Sequence, residues 1–118
     1  MSDSRRVFVA EDNGLVMMSI EGLIEDMEWE LVGPARTLDE ALEMARTCEV
    51  DVALLDVNLA EQASYPAGER LRARGVPVMF ATGYAEATKL PASLADAPLL
   101  AKPYSLDDME QLLRKLAG

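Results

Sequence analysis

The sequence contains no histidine and a single cysteine, Cys48. Without histidine there is no His-based metal site and no Ser-His-Asp or Cys-His catalysis. One cysteine excludes an internal disulfide, which fits a cytoplasmic chain. A long apolar run is also missing: the opening MSDSRRVFVA carries two arginines but only a short apolar stretch, far below the ~20 residues of a membrane span. No basic cluster offsets the net charge of −10, from 21 acidic against 11 basic residues. Such a surface repels phosphate backbones and anionic lipids, arguing against nucleic-acid and membrane partners. There is no Pro-, Ser- or Gly-rich linker and no internal repeat. At 118 residues, half of them apolar, the chain is expected to be one domain over residues 1–118, with no output domain.

What is present is an alternation. Short β-branched or apolar runs (RVFVA, WELVGP, DVALLD, PVMFA and PLLA) are separated by stretches of helical period at residues 15–27, 38–48, 69–74 and 106–116. Only between PVMFA and PLLA is the connection short and irregular. The pattern predicts an α/β fold of five parallel strands covered by helices. The runs at 52–55 and 78–80 are apolar at successive positions, as in central strands buried on both faces.

Helix starts are marked as well. Thr37 with Glu40 fits a capping box, Ser105 with Asp108 an acidic variant of it, and Asn13 an N-cap. In the first helix Val16, Ile20, Leu23, Ile24 and Met27 form the core-facing stripe. A second row, Leu15, Met18 and Gly22, is either exposed or a docking surface. Met17, Met18, Met27 and Met44 are read as gap-fillers or edge contacts, Trp29 as a strand aromatic and Cys48 as a small apolar residue. Residues 58–75 contain Ala, Ser, Pro and Gly. The first half is expected to be a loop, and the arginines near its end a solvated helix face.

In an open parallel α/β sheet, ligands sit at the carboxyl ends of the strands. The polar residues at those ends are Glu11 and Asp12, Asp56, Thr82, and Lys102 before Pro103. Any one of them has an ordinary reading as a turn former, a cap or a solvated side chain. Together, three converging carboxylates suit a hard cation such as Mg²⁺. A lysine and a threonine at the same rim suit an added anion. The set describes a phosphoryl pocket in which Asp56 acts as the nucleophile and becomes an aspartyl phosphate.

This pattern resembles the receiver domain of two-component response regulators over essentially the whole chain, from VFVAEDN to the last helix. The FATGY at residues 80–84 resembles the signature of the FAT GUY subgroup of single-domain receivers. The resemblance implies a flavodoxin-like (βα)5 fold, with strand order 2-1-3-4-5 and helices on both faces. It implies that Asp56 accepts a phosphoryl group from a sensor histidine kinase, and that Lys102 pairs with that group. Mg²⁺ would be held by Asp12, Asp56 and the backbone carbonyl of Asn58, with Glu11 acting through water. Thr82 would sense the phosphoryl group and, with Gly83 and Tyr84, pass the change to a downstream protein or phosphotransfer partner. The peptide before Pro103 would be cis. The subgroup further implies a role in bacterial stress signalling. One position departs from the family: Leu99 replaces the usual Tyr or Phe three residues before the lysine, and Tyr84 is the nearest aromatic that would take its place.

On this reading the chain is a signalling protein that assists its own phosphorylation and dephosphorylation rather than an enzyme. Three alternatives stand beside it. A haloacid-dehalogenase-like phosphatase also uses an Asp nucleophile, but Asn58 cannot be its second carboxylate. A flavodoxin-like cofactor module needs hydroxyl and amide donors where Glu11 and Asp12 stand. A phosphorylation-independent docking domain would keep the fold and bind through Leu15, Met18 and Gly22.

Overall fold

The computed structural model describes residues 4–83, 89–103 and 105–118. The chain runs β1 (Arg6–Ala10), α1 (Gly14–Asp26), β2 (Glu30–Ala35), α2 (Leu38–Thr47), β3 (Val52–Asp56), β4 (Asn58–Leu59), β5 (Gln62–Ala63), α3 (Tyr65–Ala73), β6 (Val78–Thr82), a 3-10 turn (Ala92–Leu94), β7 (Leu99–Ala101) and α4 (Leu106–Ala117). Five strands make one parallel sheet in the order β2-β1-β3-β6-β7. This is the expected 2-1-3-4-5 order once the two-residue strands β4 and β5, which pair only with each other, are set aside.

β3 and β6 are buried along their whole length, because a strand covered on both faces can present apolar residues at every position. Side chains alternate between the faces. Val7, Val9, Val52, Leu54 and Met79 pack under α1 and α4, while Phe8, Ala10, Ala53, Leu55 and Phe80 pack under α2 and α3. β1 and β2 fall out of register between Phe8 and Ala10. Opposite that irregularity Gly33 has φ +112°, and a Cβ there would lie 2.8 Å from the Val9 carbonyl oxygen, so only glycine fits. The Gly33–Pro34 peptide is cis, as is Lys102–Pro103.

The helix caps follow the sequence closely. Asn13 Oδ1 accepts from the Leu15 and Val16 N–H groups, Thr37 Oγ1 from Glu40 N–H, and Ser105 Oγ from Asp108 N–H. In the capping box of α2 the reciprocal bond falls one residue early, from Arg36 N–H to the Glu40 carboxylate.

Four expectations need correction. In α1 Val16, expected on the core-facing stripe, is only half-buried, and Met17, read as a gap-filler, is buried with Ile20, Leu23 and Ile24. The helix turns its stripe so that the longer, adaptable thioether fills the gap beneath the sheet. Trp29 precedes β2 rather than belonging to it, with the Arg114 guanidinium 5.5 Å from its ring centre.

The segment expected to be a loop holds the β4–β5 hairpin and the first turn of α3, which begins at Tyr65 and not near residue 69. Pro66 reads locally as a breaker, yet in the first turn of a helix its missing N–H costs nothing. The arginines near the end of α3 are not simply solvated. Arg74 and Arg70 donate to the Ala45 and Leu42 carbonyls of α2, and Arg72 makes a two-pronged bond to Asp96. Ser93 in the 3-10 turn also donates to Glu69.

Candidate functional site

The sheet ends bring the polar residues together. β1 runs out at Ala10, and the Glu11 N–H donates to the Ala35 carbonyl at 2.9 Å, which holds Glu11 at the end of the sheet. Glu11 is 3 % exposed and Asp56 8 % exposed, while Asp12 beside them stays exposed. One carboxylate oxygen from each of the three lies within 4.8 Å of the others.

Two of the acids are tightly held. Glu11 Oε2 accepts from Asn13 N–H at 3.1 Å, and Asp56 Oδ1 from Asn58 N–H at 3.3 Å. Lys102 Nζ reaches Asp56 Oδ2 at 2.9 Å and Glu11 Oε1 at 3.3 Å. Asp12 Oδ2 accepts from Ala60 N–H at 2.9 Å. Burial raises the pKa of Glu11 to about 7, helped by the charge and hydrogen bond of Asp56 and opposed by the Asn13 N–H and Lys102. Partial burial works against the charge on Lys102, but the bonds and charges of Asp56 and Glu11 outweigh it, and its pKa rises.

Thr82 ends β6, 5 % exposed, and the exposed Gly83 follows. Its backbone is clamped between strands, since Thr82 pairs in register with Ala101 and its carbonyl accepts from Lys102 N–H at 2.8 Å. The loop after β3 is tied to the same strand by a bond from Val57 N–H to the Ala81 carbonyl at 2.9 Å. Asp56, Thr82 and Lys102 therefore stand at the ends of three adjacent strands, Lys102 just past β7. Leu99 sits in β7 opposite Phe80. Tyr84, the aromatic expected to substitute for a residue at that position, lies outside the described residues.

Beside the pocket a groove of about 430 Å³ is lined by Val16, Ser19, Lys102, Pro103 and Leu106. Leu15 and Met18 are 79 % and 68 % exposed on the neighbouring helix face. The pocket residue that sequence reasoning missed is Ala60. An alanine in an apparent loop carries no signal for a backbone N–H that bonds a carboxylate 48 residues away.

The donor set suits a hard divalent cation. It is all oxygen, clustered, acidic and backed by one lysine, as oxygen-preferring divalent cations require. No described helix is long and apolar enough to cross a membrane.

Comparison with known proteins gives a consistent picture. The model of the response regulator receiver domain matches residues 7–114. The transcriptional regulatory protein PdtaR of Mycobacterium tuberculosis is 28% identical over 109 residues, covering 89% of this chain and 53% of that protein. The phyllosphere-induced regulator PhyR of Methylorubrum extorquens is 32% identical over 101 residues, covering 83% and 38%. The chain thus spans about half or less of the length of these curated relatives. Among solved structures, SdrG from Sphingomonas melonis Fr1 superposes with a TM-score of 0.82, at 32% identity and over 100% of both chains.

Proposed function

The chain belongs to the response regulator receiver domain family, and from that premise we propose that it accepts a phosphoryl group on Asp56 from the phosphohistidine of a sensor kinase. The observation that carries this reading is the position of Asp56. It is buried, ion-paired to Lys102 at 2.9 Å, and set among Glu11 and Asp12 with their oxygens within 4.8 Å.

In the transfer an Asp56 carboxylate oxygen attacks phosphorus, the P–N bond to the imidazole breaks, and an acyl phosphate forms. The burial of Asp56 excludes bulk water on most sides, and the Asn58 N–H on Oδ1 and Lys102 on Oδ2 fix the orientation of its carboxylate. Asp12, Asp56 and the Asn58 carbonyl would hold Mg²⁺, with Glu11 acting through water, and the ion when bound supplies a counter-charge for the phosphoryl oxygens. Lys102, now on Asp56 and Glu11, is placed to follow the charge onto the product. Thr82, at the end of the adjacent strand, is the hydroxyl nearest in the topology to hydrogen-bond it. Attack by water on the acyl phosphate later returns the carboxylate and inorganic phosphate.

Acquiring about −1.5 to −2 charges at neutral pH biases the segment after Thr82 and changes which protein binds, making this a signalling switch and not a turnover enzyme. The FATGY resemblance supports reading that switch as part of bacterial stress signalling, in the cytoplasm, with a downstream protein or phosphotransfer partner. A docking role without phosphorylation would rest on the exposed Leu15 and Met18.

The test is an amide-shift titration with Mg²⁺ and then beryllofluoride, which stands in for the phosphoryl group on an Asp carboxylate. Shifts at Asp12, Asp56 and Asn58 on adding Mg²⁺, spreading to Thr82 and Lys102 with beryllofluoride, are expected. No response to either addition overturns the phosphoryl reading in favour of docking.

A further inference from the structure

The turn joining β4 and β5 adopts a conformation that its residues resist. Between Leu59 and Gln62, both Ala60 (φ 47°) and Glu61 (φ 71°) stand in the left-handed region. Two-residue hairpins of this kind favour Asn-Gly, because a Cβ is disfavoured at positive φ. Strands of two residues cannot hold such a turn by themselves, so surrounding contacts must. Two are present. Leu59 is fully buried in the core beneath α2 and α3, and at the tip the Ala60 N–H donates to Asp12 Oδ2 at 2.9 Å.

The second contact also acts on Asp12. Glu11 and Asp56 are buried and held by Lys102 and backbone N–H groups, whereas Asp12 is exposed beside both of them. Repulsion from two neighbouring acids favours turning its carboxylate out to water. A charge-assisted bond from a backbone N–H opposes that rotation. Asn58, whose carbonyl is an expected ligand, stands in the same hairpin, opposite Ala63.

We propose that the β4–β5 hairpin is a clasp for the cation site: Ala60 is a positioning residue whose N–H holds the Asp12 carboxylate toward Glu11 and Asp56. This rests on the receiver reading of the pocket. Coupling is reciprocal, so a cation at Asp12 stabilises the hairpin by the same factor by which the formed hairpin tightens cation binding. Second-layer partners of metal ligands change affinity by ~10–100-fold, and one bond to an exposed carboxylate belongs at about tenfold.

The experiment is Mg²⁺ titration and amide hydrogen exchange by NMR on the whole chain. With saturating Mg²⁺ the Ala60 amide exchanges about tenfold more slowly. Ala60→Pro, which has neither the N–H nor access to the positive φ of this turn, breaks the clasp and weakens Mg²⁺ binding by about tenfold or more, while Ala60→Gly keeps both and keeps the wild-type affinity. Unchanged or faster exchange at Ala60 overturns the clasp, and this readout needs no variant to fold. Wild-type affinity in Ala60→Pro overturns it too. Mg²⁺ shifts at Asp56 and Asn58 without protection at Ala60 would sink the clasp alone; no shifts at either would sink the receiver reading along with it.

Discussion

Lys102 Nζ lies 2.9 Å from Asp56 Oδ2, so the proposed nucleophile is ion-paired before any phosphoryl group arrives. The pair joins β3 to the end of β7 across β6. It keeps a charge partner inside a pocket of three acids, and the lysine can stay within reach of the anion when the carboxylate becomes an acyl phosphate.

Replacing Lys102 by alanine leaves Glu11 and Asp56 without their cation. Breaking a fully buried pair costs ~3–5 kcal/mol, and the partly exposed Lys102 should cost less, about 2 kcal/mol at pH 8. Urea denaturation measures this. Phosphoryl uptake from phosphoramidate should slow sharply while Mg²⁺ binding persists, since the lysine is not a ligand. Normal uptake and normal stability together would remove Lys102 from the mechanism.

Asp56→Asn should abolish uptake, visible as loss of the mass increment after treatment with a phosphodonor. Thr82→Ala should still take up the group but give a weaker beryllofluoride response in the amide spectrum around Gly83. An undiminished response would show that the Thr82 hydroxyl is not the sensor.

Glu11 gives a pH signature. Its pKa in the folded chain is about 7, against 4.5 for a solvent-exposed glutamate. Between these values the folded state keeps a proton that the unfolded state has lost, so this group makes stability fall as pH rises from about 4.5 to about 7. Glu11→Gln has no carboxyl to titrate there. The variant should therefore melt higher relative to wild type at pH 8, with the gap closing by pH 5. Saturating Mg²⁺, which favours the charged carboxylate, should narrow the gap at pH 8. A gap independent of pH would contradict the shift.

Gly68→Ala in α3 tests the packing beneath the site. A Cβ there would lie 2.7 Å from the Phe80 ring, which is already packed edge-on against Tyr65 at 5.7 Å between ring centres. Overpacking costs ~1–3 kcal/mol, and better helix propensity returns up to ~1 kcal/mol, so a net loss of about 1–2 kcal/mol is expected in urea melts. A stabilised variant would mean that the Phe80 ring moves aside freely.

Local chemistry by itself determined the order of elements and the identity of the pocket residues. Apolar runs made the strands, period and caps made the helices, and acids, threonine and lysine ended the strands where a parallel sheet exposes its crevice. Asn13, Thr37 and Ser105 cap the helices through contacts of two or three residues' reach, which is why they were legible. What only the tertiary structure decided depends on distant partners. Arg70 and Arg74 read as solvated until α2 presents its carbonyls to them. Glu11 reads as an ordinary acid until β2 and Asp56 bury and crowd it. The Ala60–Glu61 turn runs against the preference of both residues and is held by Asp12, 48 positions from Ala60 in the chain. Local propensity acts over one turn of chain, and where a contact from elsewhere outweighs it, sequence periodicity carries no trace of the result.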